Sequence, residues 1–475
     1  MPIKRYFADA LPDAVSAVAP SPLSNMKGQL FNSALADTLS LPESMQSMEN
    51  LVPSVFSSDS TIAKNAVAQK YGGHQFGSWN PELGDGRGLL LGEVLNNKNL
   101  LVDLHLKGAG QTPYSRFADG RAVLRSTLRE YIGGEALHAL GIPSTRSLCL
   151  ISSESNVRRE TIEPAAMMIR TAPSHIRFGH FEYFYYADKP EILDRLMTFC
   201  LTHHFQSCSE SESPHSALLS AIVKRTARLV ALWQAYGFIH GVMNTDNMSI
   251  HGITFDYGPY AFQGAFKQNA VLNHSDHQGR YAFDQQPNIG LWNCYALSEG
   301  FSRYIDKPTR QSILDTYEPI MVQQYRSSML DRMGLGSDEH SIDKSWPIAL
   351  SFLQAIAAQS LDYNQAFAWL SQARATNDFK VLRNNLNDIK SLDEWWPTYH
   401  DASTDTFSSM KSANPLLIPR TSHLDKLIAM AEGNDWETVQ KVVNCYSQPF
   451  IQPSDDMNWL TDIEASQNSQ LSCSS

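Results

Sequence analysis

Short apolar runs bounded by turn-forming residues begin at about residue 84 of the chain. Two of them, at 88–93 and 100–106, are flanked by Gly and Asn and are typical of the two strands of a hairpin. Two further runs, at 165–170 and 181–187, are also predicted to be strands. The first half of the chain is therefore expected to contain a sheet.

Two longer segments are predicted to be helices. Residues 121–140 are followed by Gly141, which ends helices. Residues 216–236 have apolar side chains on one helical face and are followed by Gly237, a typical C-terminal stop. From about residue 290 onward the pattern is helical and rich in Trp. Strands therefore come first and helices later.

The composition is that of an acidic globular protein. Of 475 residues, 43% are hydrophobic and 18% are charged, which allows a sizeable core. The net charge of -11 argues against general nucleic-acid binding, which requires a basic face. Residues 104–180 differ, since ten Lys or Arg against six Asp or Glu give this segment a charge of +4. A basic segment of this kind suits a small anionic ligand such as a nucleotide, although a solvated surface would have the same composition.

The cysteines indicate a reducing compartment. There are six, they are scattered and they form no C-x-x-C pair, so neither a zinc site nor a disulfide framework is indicated. No apolar run reaches the roughly 18 residues that a membrane span requires. We therefore expect a cytoplasmic monomer that binds neither nucleic acid nor membranes.

The segment after the second predicted helix has the most specific chemical pattern. It reads His240-Gly-Val-Met-Asn-Thr-Asp-Asn247 and is followed by Asp256-Tyr-Gly. Protein kinases have the same spacing from His to Asn in H-R-D-x-x-x-x-N, followed by D-F-G. The position of the kinase catalytic Asp is Val242 here, and an aliphatic side chain cannot accept a proton. The segment predicts a kinase-type nucleotide site without ordinary kinase chemistry, with Asp246 as the spare carboxylate nearby.

Strands followed by helices, with a long helix that runs into this loop, favour an α+β protein with a protein-kinase-like two-lobed fold. We expect a β-rich N-lobe at 61–190 and a helical C-lobe at 191–450 that includes a helical C-terminal extension. Residues 1–60 are rich in Ser, Pro and Ala and predict an extended N-terminal arm with short helices. Residues 451–475 are acidic and rich in Ser and predict a mobile tail.

Features upstream of the kinase-like loop add to the pattern of a nucleotide site. Gly84-Asp-Gly86-Arg-Gly88 leads into a strand, and glycine would let the backbone approach phosphates, although a tight hairpin would use the same residues. Lys107 ends the next strand and is placed like the kinase lysine that pairs with phosphates and with a helical glutamate. Glu130 can supply that partner, with Glu135 as its competitor.

Two further pairs of side chains suit the charged parts of a nucleotide. Asn247 and Asp256 offer the oxygen ligands that Mg²⁺ prefers, although both could also be turn residues. Arg170 and Arg177 lie seven positions apart, and Arg suits bidentate recognition of phosphate. A surface ion pair is the alternative for the arginines.

Longer motifs resemble one known family. They are Tyr71-Gly-Gly-His-Gln-Phe-Gly77, Leu83-Gly-Asp-Gly-Arg87, Leu106-Lys-Gly-Ala-Gly-Gln-Thr-Pro-Tyr-Ser-Arg-Phe-Ala-Asp-Gly-Arg121, Phe178-Gly-His-Phe-Glu-Tyr183, the His240–Asn247 segment and Asp256-Tyr-Gly-Pro259. Together they closely resemble the selenoprotein O family of pseudokinase protein adenylyltransferases. The resemblance covers most of the chain, from these motifs to the terminal Cys473-Ser-Ser475.

The resemblance implies that ATP binds in a flipped orientation. AMP, and not the γ-phosphoryl group, is then transferred to a Ser, Thr or Tyr hydroxyl of a protein, and pyrophosphate is released. It also implies that Asp246 is the base, that Asn247 and Asp256 hold Mg²⁺ or Mn²⁺, and that Asp256 touches the nucleotide. The residues that it assigns to ATP are Gly84, Gly86, Arg87, Lys107, Asp119, Gly120, Arg170 and Arg177.

One position departs from the family. Members often have a Cys directly before the Asn-His-Ser-Asp stretch, where it can pair with the C-terminal Cys, and here that position is Leu272. Cys473, the counterpart of selenocysteine in some members, lacks that partner, so we expect no disulfide between it and 270–276. Cys294 and Cys445 stay open as other partners.

Two alternatives to an adenylyltransferase stay open. The first is a kinase that uses Asp246 as the base for transfer of the γ-phosphoryl group. The second is a nucleotide-binding scaffold without turnover.

Overall fold

The structure is a computed structural model of the chain that describes residues 3–338, 341–385, 389–403 and 407–463. It contains a large antiparallel sheet followed by a long series of helices, so the prediction of an α+β protein is confirmed. The division into two kinase-like lobes with boundaries at 60, 190 and 450 stays a prediction. Within the described ranges, no helix is both long enough and apolar enough to cross a membrane.

Most of the strands belong to one sheet. The described strands are β1 (Val15–Ala17), β2 (Lys27–Phe31), β3 (Val67–Gln69), β4 (Gly73–Gln75), β5 (Ser78–Asn80), β6 (Gly88–Leu95), β7 (Leu101–Lys107), β8 (Ala122–Val123), β9 (Arg146–Arg158), β10 (Ile162–Ala172), β11 (Phe238–Ile239) and β12 (Ala261–Phe262). Eight of them form a sheet in the order β1-β3-β6-β7-β10-β9-β2, with β8 paired to β10, while β4 pairs with β5 and β11 with β12. The strands predicted at 88–93, 100–106 and 165–170 are confirmed within β6, β7 and β10.

The predicted hairpin places two parts of the candidate site side by side. β6 and β7 pair from Gly88 opposite Lys107 to Leu95 opposite Leu101. This register puts Lys107 directly beside the point where the Gly-rich segment 84–88 enters the sheet.

The N-terminal segment contains the predicted short helices, but it is more than an arm. It supplies both outer strands of the sheet, because β1 pairs with β3 at one edge and β2 pairs with β9 at the other. Phe7 and Leu11 are buried. The carboxylate of Glu93 in β6 accepts hydrogen bonds from the backbone N–H groups of Tyr6 and Phe7 at 3.0 and 2.8 Å. The segment is therefore an integral part of the sheet.

Helices dominate the chain after the sheet. The described helices are α1 (Tyr6–Ala10), α2 (Ser33–Ala36), α3 (Met48–Phe56), α4 (Thr61–Asn65), α5 (Leu124–Ala139), α6 (Phe178–Tyr186), α7 (Pro190–His203), α8 (Gln206–Ser209), α9 (Pro214–Tyr236), α10 (Gln286–Glu299), α11 (Lys307–Leu314), α12 (Tyr317–Arg332), α13 (Ile342–Ala358), α14 (Tyr363–Thr376), α15 (Lys380–Asn385), α16 (Ile389–Ala402), α17 (Phe407–Ala413), α18 (Thr421–Glu432) and α19 (Trp436–Tyr446). The helices predicted at 121–140 and 216–236 are confirmed as α5 and α9, and the helical pattern beyond 290 is confirmed by α10 to α19. α9 ends as expected because Gly237 adopts the left-handed conformation, with a φ of 68°.

The strand predicted at 181–187 is wrong, because these residues belong largely to α6. Aromatic residues have a high strand propensity, and that propensity is the basis of the prediction. In the structure Phe181 and Phe184 are three positions apart and buried. The ring of Phe181 stacks on that of Phe301, with 5.5 Å between centroids. Packing against the residues after α10 therefore overrides the local preference.

One buried cluster joins the sheet to the helices. α5 packs on β9 and β10. Leu128 and Ile132 of α5 lie in the same buried cluster as Leu150 of β9 and Trp233 of α9. This packing positions α5 next to the end of β7, where Lys107 lies.

The structure describes only the first part of the predicted tail. Residues 455–461 form a 3₁₀-helix with Met457 and Leu460 buried, so this part is packed. Cys473 lies outside the described residues. Of its two alternative partners, Cys294 is completely buried and Cys445 is half-buried.

Candidate active site

A cleft of 570 Å³ opens where β6, β7 and β10 approach the loops that follow α9. Every residue predicted for nucleotide binding, metal binding or proton transfer lines this cleft. They are Gly84, Gly86, Arg87, Lys107, Asp119, Gly120, Arg170, Arg177, Asp246, Asn247 and Asp256. Segments that are far apart in the sequence therefore meet in one place.

Lys107 forms a buried ion pair with Glu130 of α5. Burial lowers the pKa of Lys107, and the carboxylate of Glu130 opposes that shift. Glu135, the competing candidate, pairs with Arg146 of β9 instead. Five positions along an α-helix correspond to a rotation of about 140°, so the two glutamates point to different sides of α5. The structure therefore decides in favour of Glu130.

Arg170 connects this ion pair to Asp256, and Arg177 binds the same carboxylate. Arg170 donates from Nη1 to Glu130 Oε1 at 3.1 Å and also to Asp256 Oδ1. Arg177 donates from Nη1 to Asp256 Oδ2 at 2.6 Å. Burial alone would raise the pKa of Asp256, but Arg170 and Arg177 hold this pKa well below its usual range. The carboxylate is therefore ionised, with a guanidinium on each oxygen.

The backbone at Asp256 is held in an uncommon conformation. Its φ is 53°, in the left-handed region that Asp tolerates better than most residues. Asn247 donates from Nδ2 to the carbonyl oxygen of Asp256 at 3.0 Å. This bond keeps the two predicted metal ligands next to each other.

Only one of the two carboxylate oxygens of Asp246 accepts a hydrogen bond from a described residue. Gln75 of β4 donates to Oδ2 at 3.2 Å, whereas Oδ1 is buried and has no hydrogen-bond partner among the described residues. Burial raises the pKa of Asp246 to about 7, against the opposing effect of Arg177. A carboxylate with this pKa and an unengaged oxygen can accept a proton near neutral pH.

The other residues of the kinase-like loop have structural roles. Val242, at the position of the kinase Asp, is 6% exposed and offers no proton acceptor. His240 is completely buried, and burial lowers its pKa to about 4, so the ring is neutral. Its Nε2 lies 3.0 Å from the carbonyl oxygen of Phe255, which indicates that Nε2 has the proton. His240 thus connects this loop to the segment with Asp256.

The Gly-rich segment does not form a tight hairpin, because the strands on either side of it, β5 and β6, do not pair. It packs instead on the loop that contains Tyr114. A Cβ at Gly84, where φ is 129°, would lie 2.5 Å from the ring of Tyr114. A Cβ at Gly86 would lie 2.9 Å from the carbonyl oxygen of the same residue. Glycine therefore allows two loops to form one wall of the cleft.

Asp119 and Gly120 lie on a loop that Arg159 holds in place. Asp119 accepts two hydrogen bonds from Arg159, at 2.8 and 2.9 Å, and its side chain is 40% exposed. Gly120 has a φ of 68°, and a Cβ there would lie 2.1 Å from the carbonyl oxygen of Gly110. Only glycine fits at this position.

Several residues that line the cleft were not predicted as site residues, and Gln75 and Arg159 are two of them. Gln75 lies within the 71–77 motif that carries part of the family resemblance. Arg159 lies within the basic segment 104–180. These signals mark the right segments, but a hydrogen bond to Asp246 or to Asp119 requires the fold.

The donor atoms suit a small divalent cation that also binds phosphate. The described ranges contain no group of three or more His, Cys, Asp or Glu that could hold a metal. Mg²⁺ does not require one, because it commonly binds one or two carboxylates together with phosphate oxygens and water. Asp256, Asn247 and the unpartnered Oδ1 of Asp246 offer oxygen atoms in the same cleft. A bound ion would share Asp256 with the two arginines.

The raised pKa of Asp246 predicts that an Asp246→Asn variant is more stable than the wild type at pH 8. The pKa is about 7 in the folded protein, so the folded state binds more protons than the unfolded state between roughly pH 4 and pH 7. The stability that this group contributes is therefore present at low pH and is lost as the pH rises to about 7. The loss amounts to about 1.4 kcal/mol for each unit of the shift. Urea unfolding should give the variant a higher free energy of unfolding than the wild type at pH 8, and nearly equal values for the two proteins near pH 4.

Asp119→Asn is the matched control for this measurement. Burial raises the pKa of Asp119, but the hydrogen bonds from Arg159 and from the backbone of Arg121, together with the charges of both arginines, lower it overall. Asp119→Asn should therefore lose stability at pH 8, the opposite of Asp246→Asn. An Asp246→Asn variant that is less stable than the wild type at pH 8 would contradict the raised pKa of the buried Asp246.

Comparisons with known proteins agree with the resemblance of the motifs. The model of one protein family, described as Protein adenylyltransferase SelO, matches residues 4–447. The chain is 44% identical to the Protein nucleotidyltransferase YdiU of Pseudoalteromonas atlantica over 95% of each chain. It is 45% identical to the protein of that name from Pseudomonas entomophila, over 86% of this chain and 85% of the relative. It is 40% identical to the one from Cronobacter sakazakii over 94% of each chain.

Proposed function

Because the chain belongs to the SelO family of protein adenylyltransferases, we propose that it transfers AMP from ATP to Ser, Thr or Tyr hydroxyls of proteins. One observation carries the proposal. Val242 removes the proton acceptor of ordinary kinase chemistry, while Asp246 has a pKa of about 7 and an unpartnered oxygen in the same cleft. The cleft therefore has a base, but not at the kinase position.

The transfer is a displacement at the α-phosphorus of ATP. The acceptor hydroxyl gives its proton to Asp246 while its oxygen forms a bond to the α-phosphorus. The bond from that phosphorus to the oxygen that bridges to the β-phosphate breaks, and pyrophosphate leaves with the bonding electron pair. The acceptor then has AMP attached through a phosphodiester, and Asp246 returns the proton to water.

We assign the phosphates of ATP to Lys107, Arg170 and Arg177. All three are buried cations that line the cleft. Each is paired with a carboxylate, Lys107 with Glu130 and the arginines with Asp256, so their positions are fixed before the nucleotide binds. Fixed positive groups stabilise the charge that develops on pyrophosphate without having to reorganise. We assign Gly84, Gly86, Arg87, Asp119 and Gly120 to the rest of the nucleotide.

Asn247 and Asp256 would hold Mg²⁺ or Mn²⁺. When bound, such an ion neutralises charge on the phosphate oxygens. Two interactions favour binding of this ion. Arg170 and Arg177 keep Asp256 ionised, and the side chain of Asn247 donates a hydrogen bond to the backbone of Asp256.

Replacing Glu130 with Gln is expected to weaken ATP binding about tenfold or more, which corresponds to about 1.4 kcal/mol. The change removes the charge that positions Lys107 and one contact of Arg170, both of which line the cleft. Glu135→Gln is the matched control, because it breaks the pair with Arg146 on the same helix. Calorimetry should show the loss of affinity only for Glu130→Gln, although both variants unfold at a lower temperature. Equal ATP affinity in the two variants would contradict a role for Glu130 in the nucleotide site.

Two labelled forms of ATP test the function. The protein is incubated separately with ATP labelled at the α- and at the γ-phosphate, and incorporation into the protein itself is measured. We expect label from the α position only. Label from the γ position only would indicate a kinase with Asp246 as its base. ATP binding without incorporation of either label would indicate a scaffold.

We also propose a cytoplasmic location. The five cysteines that the structure describes are all free thiols, which suits a reducing compartment.

A further inference from the structure

The β4–β5 hairpin is bound to the loop that contains Asp246. Gln75 donates to Asp246 Oδ2 at 3.2 Å, and a Cβ at Gly73 would lie only 2.9 Å from Asp246 Oδ1. The backbone N–H of His74 donates to Thr245 Oγ1 at 2.7 Å. The hairpin therefore forms the side of the cleft beside the proposed base.

The tip of this hairpin is strained. Phe76 and Gly77 both have positive φ, 50° and 85°. Such a turn favours Asn-Gly, and a bulky aromatic residue in the left-handed region is an outlier. Phe76 is 42% exposed, so its burial does not offset this cost. Residues held in strained conformations are found preferentially at functional sites.

Phe76 is also fixed to the loop next to Asp246. Its backbone N–H lies 3.1 Å from Asn244 Oδ1 and 3.0 Å from the hydroxyl of Tyr281. The ring of Phe76 packs on that of Tyr281, with 5.2 Å between centroids. The exposed part of Phe76 is therefore presented in one orientation.

Arg280 lies against the same tip and, among the described residues, has no anionic partner. A Cβ at Gly77 would lie 3.3 Å from its guanidinium carbon, which is 4.8 Å from the ring centre of Trp292. In the part of the chain that the structure describes, no carboxylate forms an ion pair with Arg280, and its Nε is buried without a hydrogen-bond partner. Asp276 fixes the backbone here by accepting the N–H groups of Arg280 and Tyr281 at 2.9 and 2.7 Å.

Aromatic rings extend the surface beyond the tip. The ring of His74 lies 5.3 Å from the rings of both Trp79 and Trp292, and Trp79 packs on Tyr186 at 4.5 Å. Tyr186 is 47% exposed. Trp, Tyr and Arg are the residues that dominate protein–protein contacts, so the composition of this surface suits a polypeptide partner.

We propose that Phe76, Tyr186, Arg280 and Trp292, here called the acceptor surface, bind the polypeptide that receives AMP. The occupant is a segment of the acceptor protein with a carboxylate side chain near the hydroxyl. That carboxylate pairs with Arg280, and the hydroxyl then reaches Asp246. The inference rests on the proposed function, since only a transfer to protein requires a second polypeptide beside Asp246. The guanidinium of Arg280, which no described carboxylate pairs with, selects a carboxylate in a chain whose net charge of -11 otherwise repels acidic partners.

Synthetic peptides labelled from α-labelled ATP test the proposal. Each peptide has one Ser, Thr or Tyr in a Gly/Ala background and one charged residue, either Glu or Lys. Across the set, that charged residue occupies in turn each of the three positions before and after the hydroxyl residue. We expect the best Glu peptide to receive about ten times more label than its Lys counterpart, and Arg280→Glu to reverse this preference. Arg228→Glu makes the same change of charge at an exposed arginine that lines a different cleft, and it should keep the wild-type preference.

Phe76→Asn provides a second variant that is expected to fold well. It places Asn-Gly in the turn that favours this pair, so the unfolding temperature should rise. ATP affinity should not change, whereas the KM for the Glu peptide should rise about tenfold or more. A KM equal to that of the wild type would remove Phe76 from the acceptor surface and contradict the proposal.

The remaining outcomes separate this proposal from the proposed function. An unchanged peptide preference in Arg280→Glu overturns the acceptor surface alone. A wild-type protein that labels itself but none of the peptides also overturns the acceptor surface alone. A wild-type protein that incorporates no α label into itself or any peptide overturns the proposed function, and the acceptor surface with it.

Discussion

Replacing Asp246 with Asn lowers the rate of AMP transfer by a factor of about 10²–10⁴ while ATP affinity changes little. Asparagine has the shape of aspartate and can still accept the hydrogen bond from Gln75, but it cannot take the proton of the acceptor hydroxyl. Val242 offers no substitute. The measurement is incorporation of α label at saturating ATP, combined with calorimetry of ATP binding. In the wild type, kcat/KM should rise with pH up to about 7 and then level off, as Asp246 loses its proton.

Asp119→Asn makes the same chemical change elsewhere in the cleft. It should raise the KM for ATP and leave kcat almost unchanged, because we assign Asp119 to nucleotide binding and not to proton transfer. The contrast between the two variants separates a base from a binding residue. If Asp246→Asn instead lost ATP affinity and turned over normally at saturating ATP, Asp246 would be a binding residue.

Asp256→Ala is expected to reduce metal-dependent AMP transfer by about 10²–10³ or more. Its carboxylate is the proposed metal ligand and also the partner of Arg170 and Arg177. Breaking buried ion pairs of this kind costs about 3–5 kcal/mol of stability, so the variant should also unfold earlier. Titration of Mg²⁺ and Mn²⁺ against self-AMPylation, together with calorimetry of ATP binding with and without the metal, measures the loss.

Asp362→Ala is the control for the loss of stability. Asp362 forms a buried ion pair with Arg420, and neither residue lines the cleft. Both variants should unfold at a lower temperature, but only Asp256→Ala should lose the metal-dependent step. Full metal-dependent self-AMPylation by Asp256→Ala would remove Asp256 from the metal site.

The elements that could be predicted from the sequence are those in which local and tertiary preferences agree. β6, β7 and α9 are bounded by glycines or asparagines that end them, and their apolar positions are buried in the structure. α6 was predicted as a strand because its aromatic residues have strand propensity, while its packing against Phe301 favours a helix. β1 and β2 were not predicted at all, since short edge strands contain too few residues to show a period.

The candidate site divides in the same way. Residues with a motif around them, such as Lys107, Asp246 and Asp256, could be placed in the cleft from sequence. The sequence could not decide between Glu130 and Glu135 as the partner of Lys107, because both lie on the same predicted helix. Only the orientation of α5 about its axis shows which of the two faces Lys107. The acceptor surface could not be predicted either, since the contact of Arg280 with the hairpin tip joins segments about 200 residues apart, a separation that only the fold closes.

Because the first 31 residues supply both edges of the sheet, the order of synthesis affects how safely the protein folds. β2 ends at Phe31, whereas its partner β9 begins at Arg146. At about 5–20 residues per second, the ribosome needs roughly 6–23 s to produce the 115 residues from 32 to 146. During that time β2 is an unpaired strand that can pair with another nascent chain. Synonymous codon changes between these two positions do not alter the amino-acid sequence, but they alter the rate of synthesis. They should therefore change the yield of correctly folded protein in a cell.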